Sequence, residues 1–137
     1  MNNLNTISAD LVREIESRLN SVGIMYRIFR RVKSPESLGN KVEANPGKYG
    51  RGKKVQDIIG IRIVVYFLDD VEVVSGIIES LYRIDEGNSM IDVPTSDTFK
   101  ASRYNMICRM VDDINLSSFF GSEYSDLVDE SFEVQIR

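Results

Sequence analysis

IIGIRIVVYF, residues 58–67, is the stretch on which the fold turns. All but a glycine and an arginine are aliphatic or aromatic, and β-branched residues dominate. A short run that is apolar on both faces reads as a buried central strand. Immediately downstream, DDVEVVSGIIESLYR (69–83) sets Val71, Val74, Ile78 and Leu81 at the spacing of a helix packing on a core. RYNMICRMV (103–111) and SFEVQIR (131–137) read as further strands. Upstream, residues 8–22 predict an amphipathic helix. Ser8 is its expected N-cap, Leu11, Ile15 and Leu19 share one face, and Gly23 ends it. IMYRIFR (24–30) alternates as a strand. SPESLGNKV (34–42) then restarts as a helix, with Ser34 as N-cap and Pro35 at the first helical position. The stretch 45–54, NPGKYGRGKK, reads as a flexible basic loop, and 114–130 is an acidic insertion without an assigned element. The order α-β-α-β-α-β-β implies a mixed sheet carrying helices, hence α/β or α+β. No repeat is visible, so residues 1–137 are expected to form one domain.

Composition narrows the chemistry. The chain has 137 residues, one cysteine (Cys108) and no histidine. An internal disulfide framework is therefore excluded, and a reducing, cytoplasmic setting is expected. Imidazole metal sites and Ser–His or Cys–His catalysis are excluded as well. A metal held by side chains should be a hard cation on carboxylates, magnesium or calcium rather than zinc. No run approaches the length of a membrane span, and the N-terminus lacks the blocks of a signal peptide.

The formal charge is −4, but it is unevenly distributed. Residues 26–54 carry nine bases against Glu36 and Glu43, a net +7, which leaves −11 for the remainder. Such a block is either a solvated basic loop or a seat for a compact polyanion such as a nucleoside triphosphate.

Several residues in and after this block are candidates for chemistry. Ser37 and Lys41 are four apart and share a helical face, and Arg31 and Lys33 lie just before that helix. Basic groups normally gather at the C-terminal end of a helix, so a cluster at the N-terminal end favours a bound anion over an idle surface. Asp57 precedes the central strand and Arg62 lies within it. In SFEVQIR, Phe132, Val134 and Ile136 share one face, and Glu133, Gln135 and Arg137 share the other. Glu133 could thus meet Asp57 across strands. Two facing carboxylates repel unless a cation lies between them, and magnesium bridging to phosphate oxygens would resolve the conflict. A solvated sheet face is the alternative.

Arg31-x-Lys33-x-x-x-Ser37-x-x-x-Lys41, then Asp57-Ile-Ile-Gly60-Ile-Arg62, then Phe132-Glu133-Val134-Gln135-Ile136-Arg137, resembles the RelA/SpoT (p)ppGpp synthetase domain. The resemblance runs from about Tyr26 to the last residue. It implies an α+β, nucleotidyltransferase-like mixed sheet that moves pyrophosphate from ATP to the 3′-hydroxyl of GTP or GDP. By position, Arg31 and Arg62 would bracket the adenine, and Lys33, Ser37 and Lys41 would hold the ATP phosphates. Asp57 and Glu133 would bind Mg2+, with Glu133 taking the proton from the attacking hydroxyl, and Gln135 would support the acceptor. One motif departs. The family's Tyr-x-Ser-x-His is best placed on Tyr104-Asn105-Met106-Ile107-Cys108, which keeps only the tyrosine. Tyr104 is then either a guanine platform or a packed tyrosine. With Met106 and Cys108 expected beside it, guanosine nucleotides would be poor acceptors. The alternatives are a different 3′-hydroxyl, such as a tRNA end, or a non-catalytic nucleotide-binding domain. Family members usually continue with another helix, so a fragment or trimmed chain is expected, and an oligomer is compatible with the sequence.

Overall fold

The computed structural model describes residues 3–45, 49, 54–92, 103–111 and 113–137. Most of the predicted basic loop and of the segment before the 103–111 strand therefore lies outside the described residues. The elements in order are α1 (Leu4–Val22), β1 (Tyr26–Val32), α2 (Pro35–Ala44), β2 (Ile59–Val65), α3 (Leu68–Leu81), β3 (Met90–Asp92), β4 (Arg103–Arg109) and β5 (Ser131–Ile136). The five strands form one mixed sheet in the order β1-β2-β5-β4-β3. β2 runs antiparallel to β1 and parallel to β5, and β5 runs antiparallel to β4.

The sheet has one packed face. Ile59, Ile61 and Ile63 of β2 and Phe132, Val134 and Ile136 of β5 are buried there with Ile15 and Leu19 of α1 and Val74 and Ile78 of α3. Each such side chain contributes about 1.5–3 kcal/mol by leaving water. The other face is open over β1, β2 and β5. The expectation that 58–67 is buried on both faces is corrected accordingly. Gly60 and Val64 are only half-buried and Arg62 is exposed, because no helix covers their side of β2.

Several element ends differ from the sequence reading. α1 begins one turn earlier than expected, capped by Asn3, whose Oδ1 accepts from the Thr6 backbone N–H at 2.8 Å. Asn and Ser are comparable caps, and the pattern alone does not choose between them. Ser8 is instead buried inside the helix, where its hydroxyl accepts from Arg30 Nη1 at 2.6 Å. Gly23 does end the helix, at φ 83°, a conformation that favours glycine. The strand read at 24–30 runs from Tyr26 to Val32, and the three-residue β3 was not anticipated. α2 starts as predicted, with Ser34 accepting from the Ser37 backbone N–H and Pro35 in the first turn.

The unplaced stretch 114–130 contains two short 3-10 turns, Leu116–Phe119 and Ser125–Leu127. It braces the chain that leads into β2 and adds Leu116, Phe120 and Val128 to the core. Val55 N donates to Leu127 O at 2.7 Å, and Asp129 N donates to Val55 O at 3.0 Å, so the approach to Asp57 is tied to this segment. Tyr124 packs against Gly39 of α2, where a Cβ would lie 2.9 Å from the tyrosine hydroxyl. Glycine lets α2 approach this closely.

Candidate active site

The open face holds a cleft of about 410 Å³, lined by Phe29, Arg31, Asp57, Arg62, Glu133 and Gln135 among others. Strand alternation explains the set. Across β1 and β2, Phe29 is opposite Arg62 and Arg31 is opposite Gly60. Across β2 and β5, Gly60 is opposite Glu133 and Arg62 is opposite Gln135. Residues opposite one another on adjacent strands share a face, so two rows cross the sheet on its open side. Gly60 leaves the middle of one row empty, and a Cβ there would meet nothing within 4 Å.

Basic side chains converge at one end of the cleft. Lys41 Nζ donates to Asp57 Oδ1 at 2.7 Å, while Lys33 Nζ and Arg31 Nη2 approach Oδ2 at 3.8 and 4.0 Å. Local structure brings them there. Lys33 N donates to Ile58 O at 2.8 Å, which extends the β1–β2 pairing to the level of Asp57. The Ser34 cap then turns α2 so that Lys41 reaches the same carboxylate. Burial disfavours charge on Asp57, but the hydrogen bond from Lys41 and the charges of Lys41 and Lys33 outweigh it. The carboxyl is held below its ordinary range. Burial lowers the Lys33 ammonium, and Asp57 only partly offsets this.

At the other side a hydrogen-bonded chain crosses β2 and β5. Arg62 Nε and Nη2 both donate to Gln135 Oε1, at 3.0 and 2.8 Å, and Gln135 Nε2 donates to Glu133 Oε1 at 2.6 Å. The amide links a cation to a carboxylate, and both partners dictate the same orientation of its oxygen and nitrogen. Arg62, exposed within the central strand, is thus held by Gln135. Ser37 stays at the first turn of α2, where its hydroxyl accepts from Ser34 at 3.1 Å.

Tyr104 requires a correction. It is 9% exposed and opposite Ile136, with Met106 opposite Val134 and Cys108 opposite Phe132. All three therefore belong to the packed face, and burial pushes the Cys108 thiol up to about 12. The other side of β4 carries Asn105 and Ile107, opposite Gln135 and Glu133, with Ile107 itself buried. Asn105 Oδ1 accepts from Arg137 Nη2 at 2.8 Å. The expectation that Met106 and Cys108 line an acceptor pocket, and with it the argument for weak guanosine acceptors, loses its basis.

Sequence reasoning passed over Phe29, which lines the cleft. The alternation of YRIFRRV, which sets Phe29 on the same side as Arg31, was the available signal.

A family description, "Region found in RelA / SpoT proteins", matches residues 30–137. The chain belongs to the RelA/SpoT family. No curated protein matches it in sequence. Among solved structures, the small alarmone synthetase 2 from Bacillus subtilis aligns with a TM-score of 0.56 at 20% identity, over 96% of this chain and 68% of that one. The small alarmone synthetase 1 from the same organism, bound to its product pppGpp, gives 0.55 at 18%, over 97% and 66%. A GTP pyrophosphokinase family protein from Streptococcus pneumoniae gives 0.54 at 22%, over 96% and 64%. At these identities the likeness is one of fold. This RelA/SpoT chain spans about two thirds of the length of those structures. Among the described residues, no helix is long and apolar enough to cross a membrane.

Proposed function

We propose that the chain is a pyrophosphokinase that moves the β,γ-pyrophosphate of ATP to the 3′-hydroxyl of GDP or GTP, making (p)ppGpp. The observation that carries this reading is one cleft joining a basic cluster, Arg31 with Lys33 and Lys41 around Asp57, to Glu133, inside the segment matched to the family. The structures of similar fold include a small alarmone synthetase bound to pppGpp, which supports the same reaction class.

The residues divide the work as phosphoryl-type transfer requires, by positioning and charge neutralisation. Without ligand, Asp57 satisfies the three cations. When the triphosphate enters, Lys33 and Lys41 turn to its oxygens, Ser37 donates at the first turn of α2, and Arg31 turns with Arg62 to the adenine. Glu133 accepts the proton of the attacking 3′-hydroxyl, whose oxygen bonds to the β-phosphorus. The bond from that phosphorus to the α,β-bridging oxygen breaks, and AMP leaves with the electron pair. Gln135 keeps Glu133 and Arg62 in place.

The donor set fits magnesium. Asp57 and Glu133 supply hard oxygens to one cleft, and no group of three such ligands exists among the described residues, so phosphates and water would complete the shell. Bound there, the ion would neutralise charge on the phosphate oxygens.

The test is incubation with labelled ATP, magnesium and GDP, GTP or tRNA, beside Glu133→Gln. Transfer to a guanosine nucleotide that Glu133→Gln abolishes, with ATP binding retained, is expected. Transfer only to tRNA would replace the acceptor, and ATP binding without any transfer would reduce the chain to a nucleotide-binding domain.

A further inference from the structure

We propose that Phe29 is the platform on which the aromatic base of the nucleoside triphosphate stacks. The inference rests on the function proposed above and names a residue that it leaves unassigned. Phe29 is 52% exposed in the middle of β1, and its side faces the cleft that it helps to line. A single exposed apolar residue normally calls for no explanation. This one is set apart by its surroundings, with Arg27 and Arg31 two residues to either side and Arg62 directly opposite. A bare ring among guanidinium groups gains little from water, whereas an aromatic base would cover it and be framed by cations.

The dimensions agree with that occupant. Side chains on one face of a strand advance about 6.6–6.8 Å per two residues. Arg31 is therefore one such step from Phe29 along β1, and Lys33 is two. Gly60, opposite Arg31, offers no side chain between them. From Phe29 to Lys33 the cleft thus runs from an apolar plate, over an open floor, to the cations gathered at Asp57. Base, sugar and phosphates follow the same order in a nucleotide. A cavity of about 410 Å³ is within the usual range for small-ligand sites. Arg62 is fixed beside the ring by its two hydrogen bonds to Gln135.

The sequence contains no tryptophan, so Phe29→Trp creates a single fluorescent reporter at the proposed contact. Saturating ATP should alter the emission of the introduced indole. Inorganic tripolyphosphate, which has no base, should compete with ATP yet leave the emission nearly unchanged. By calorimetry, Phe29→Ala should bind ATP about tenfold more weakly, the scale of one lost base–aromatic stack, and bind tripolyphosphate as the unaltered chain does. Phe29→Tyr should retain ATP affinity. Loss of both ligands in Phe29→Ala would indicate a damaged fold and count against the assignment, as would an indole that ignores ATP shown by calorimetry to be bound. Failure of the unaltered chain to bind ATP would overturn the proposed function itself, whereas ATP binding indifferent to Phe29 would overturn this assignment alone.

Discussion

Asp57 is the residue whose charge state matters most in the cleft. Its two oxygens meet three cations, and the carboxyl is held below its ordinary value near 3.8. A carboxylate with a depressed folded pKa gives stability that is complete above the unfolded pKa. That stability is lost as pH falls through the folded one, because the unfolded chain takes up the proton first. The unaltered chain should therefore lose resistance to urea as pH drops below about 4, and Asp57→Asn should lack that part of the slope. At pH 7 the same substitution leaves Lys33, whose side chain is 11% exposed, without its counter-charge, at a cost of about 2 kcal/mol. Urea midpoints of both proteins at pH 7 and pH 3 check the two statements together, and parallel slopes would contradict them. Lys41 is the other half of the pair. Lys41→Ala should weaken ATP binding by about 1.5–3 kcal/mol, and the unaltered affinity should fall as salt is raised. Unchanged calorimetric affinity in that variant would remove Lys41 from the phosphate site.

At the scale of strands, what matters is which side chain faces which way. Gly60 is the clearest case. A β-branched residue suits a strand, and the space above Gly60 is open, so Gly60→Val should leave thermal stability within about 1 kcal/mol of the original. Its side chain would nevertheless project into the cleft between Arg31 and Glu133, and ATP binding should fail. A variant that folds and still binds ATP would show the floor to be elsewhere. β4 gives the converse test. Placing the family's serine and histidine by Met106→Ser and Cys108→His should destabilise by roughly 2–4 kcal/mol without changing acceptor preference, since both positions pack on the core. SFEVQIR could be oriented from sequence because all its apolar residues fall on one parity and its polar ones on the other. RYNMICR could not. Tyr104, Met106 and Cys108 compete with Ile107 for the core, and only the pairing of Met106 with Val134 decides the matter. The brace at 114–130 was illegible for a different reason, since short 3-10 turns carry no period to detect.

Across the whole molecule, sequence separation and charge are resolved by the same sheet. Asp57 and Glu133 open onto one cleft because β5 inserts beside β2 in parallel, a pairing that the sequence reading did not specify. An acidic chain thereby presents a locally basic cleft, the arrangement that draws in a polyanion while the rest repels it. The family match begins at residue 30, yet α1 lies wholly before it. Its contribution is to the sheet rather than to the chemistry. Ile7, Leu11, Ile15 and Leu19 close the packed face, and Ser8 holds the Arg30 guanidinium on the side of β1 away from the cleft. Without this helix, the packed face under β1 and β2 would meet water, and β1 would lose the support that sets Phe29 and Arg31 above the cleft. Deleting residues 1–24 should therefore abolish cooperative thermal unfolding. Ile15→Ala should lower stability by about 2–5 kcal/mol while leaving ATP affinity unchanged at temperatures where the chain stays folded. Circular dichroism melts with calorimetry at 15–20 °C separate the two effects. A sharp melt from the shortened chain would show that the matched segment holds itself together and that α1 is an addition to it.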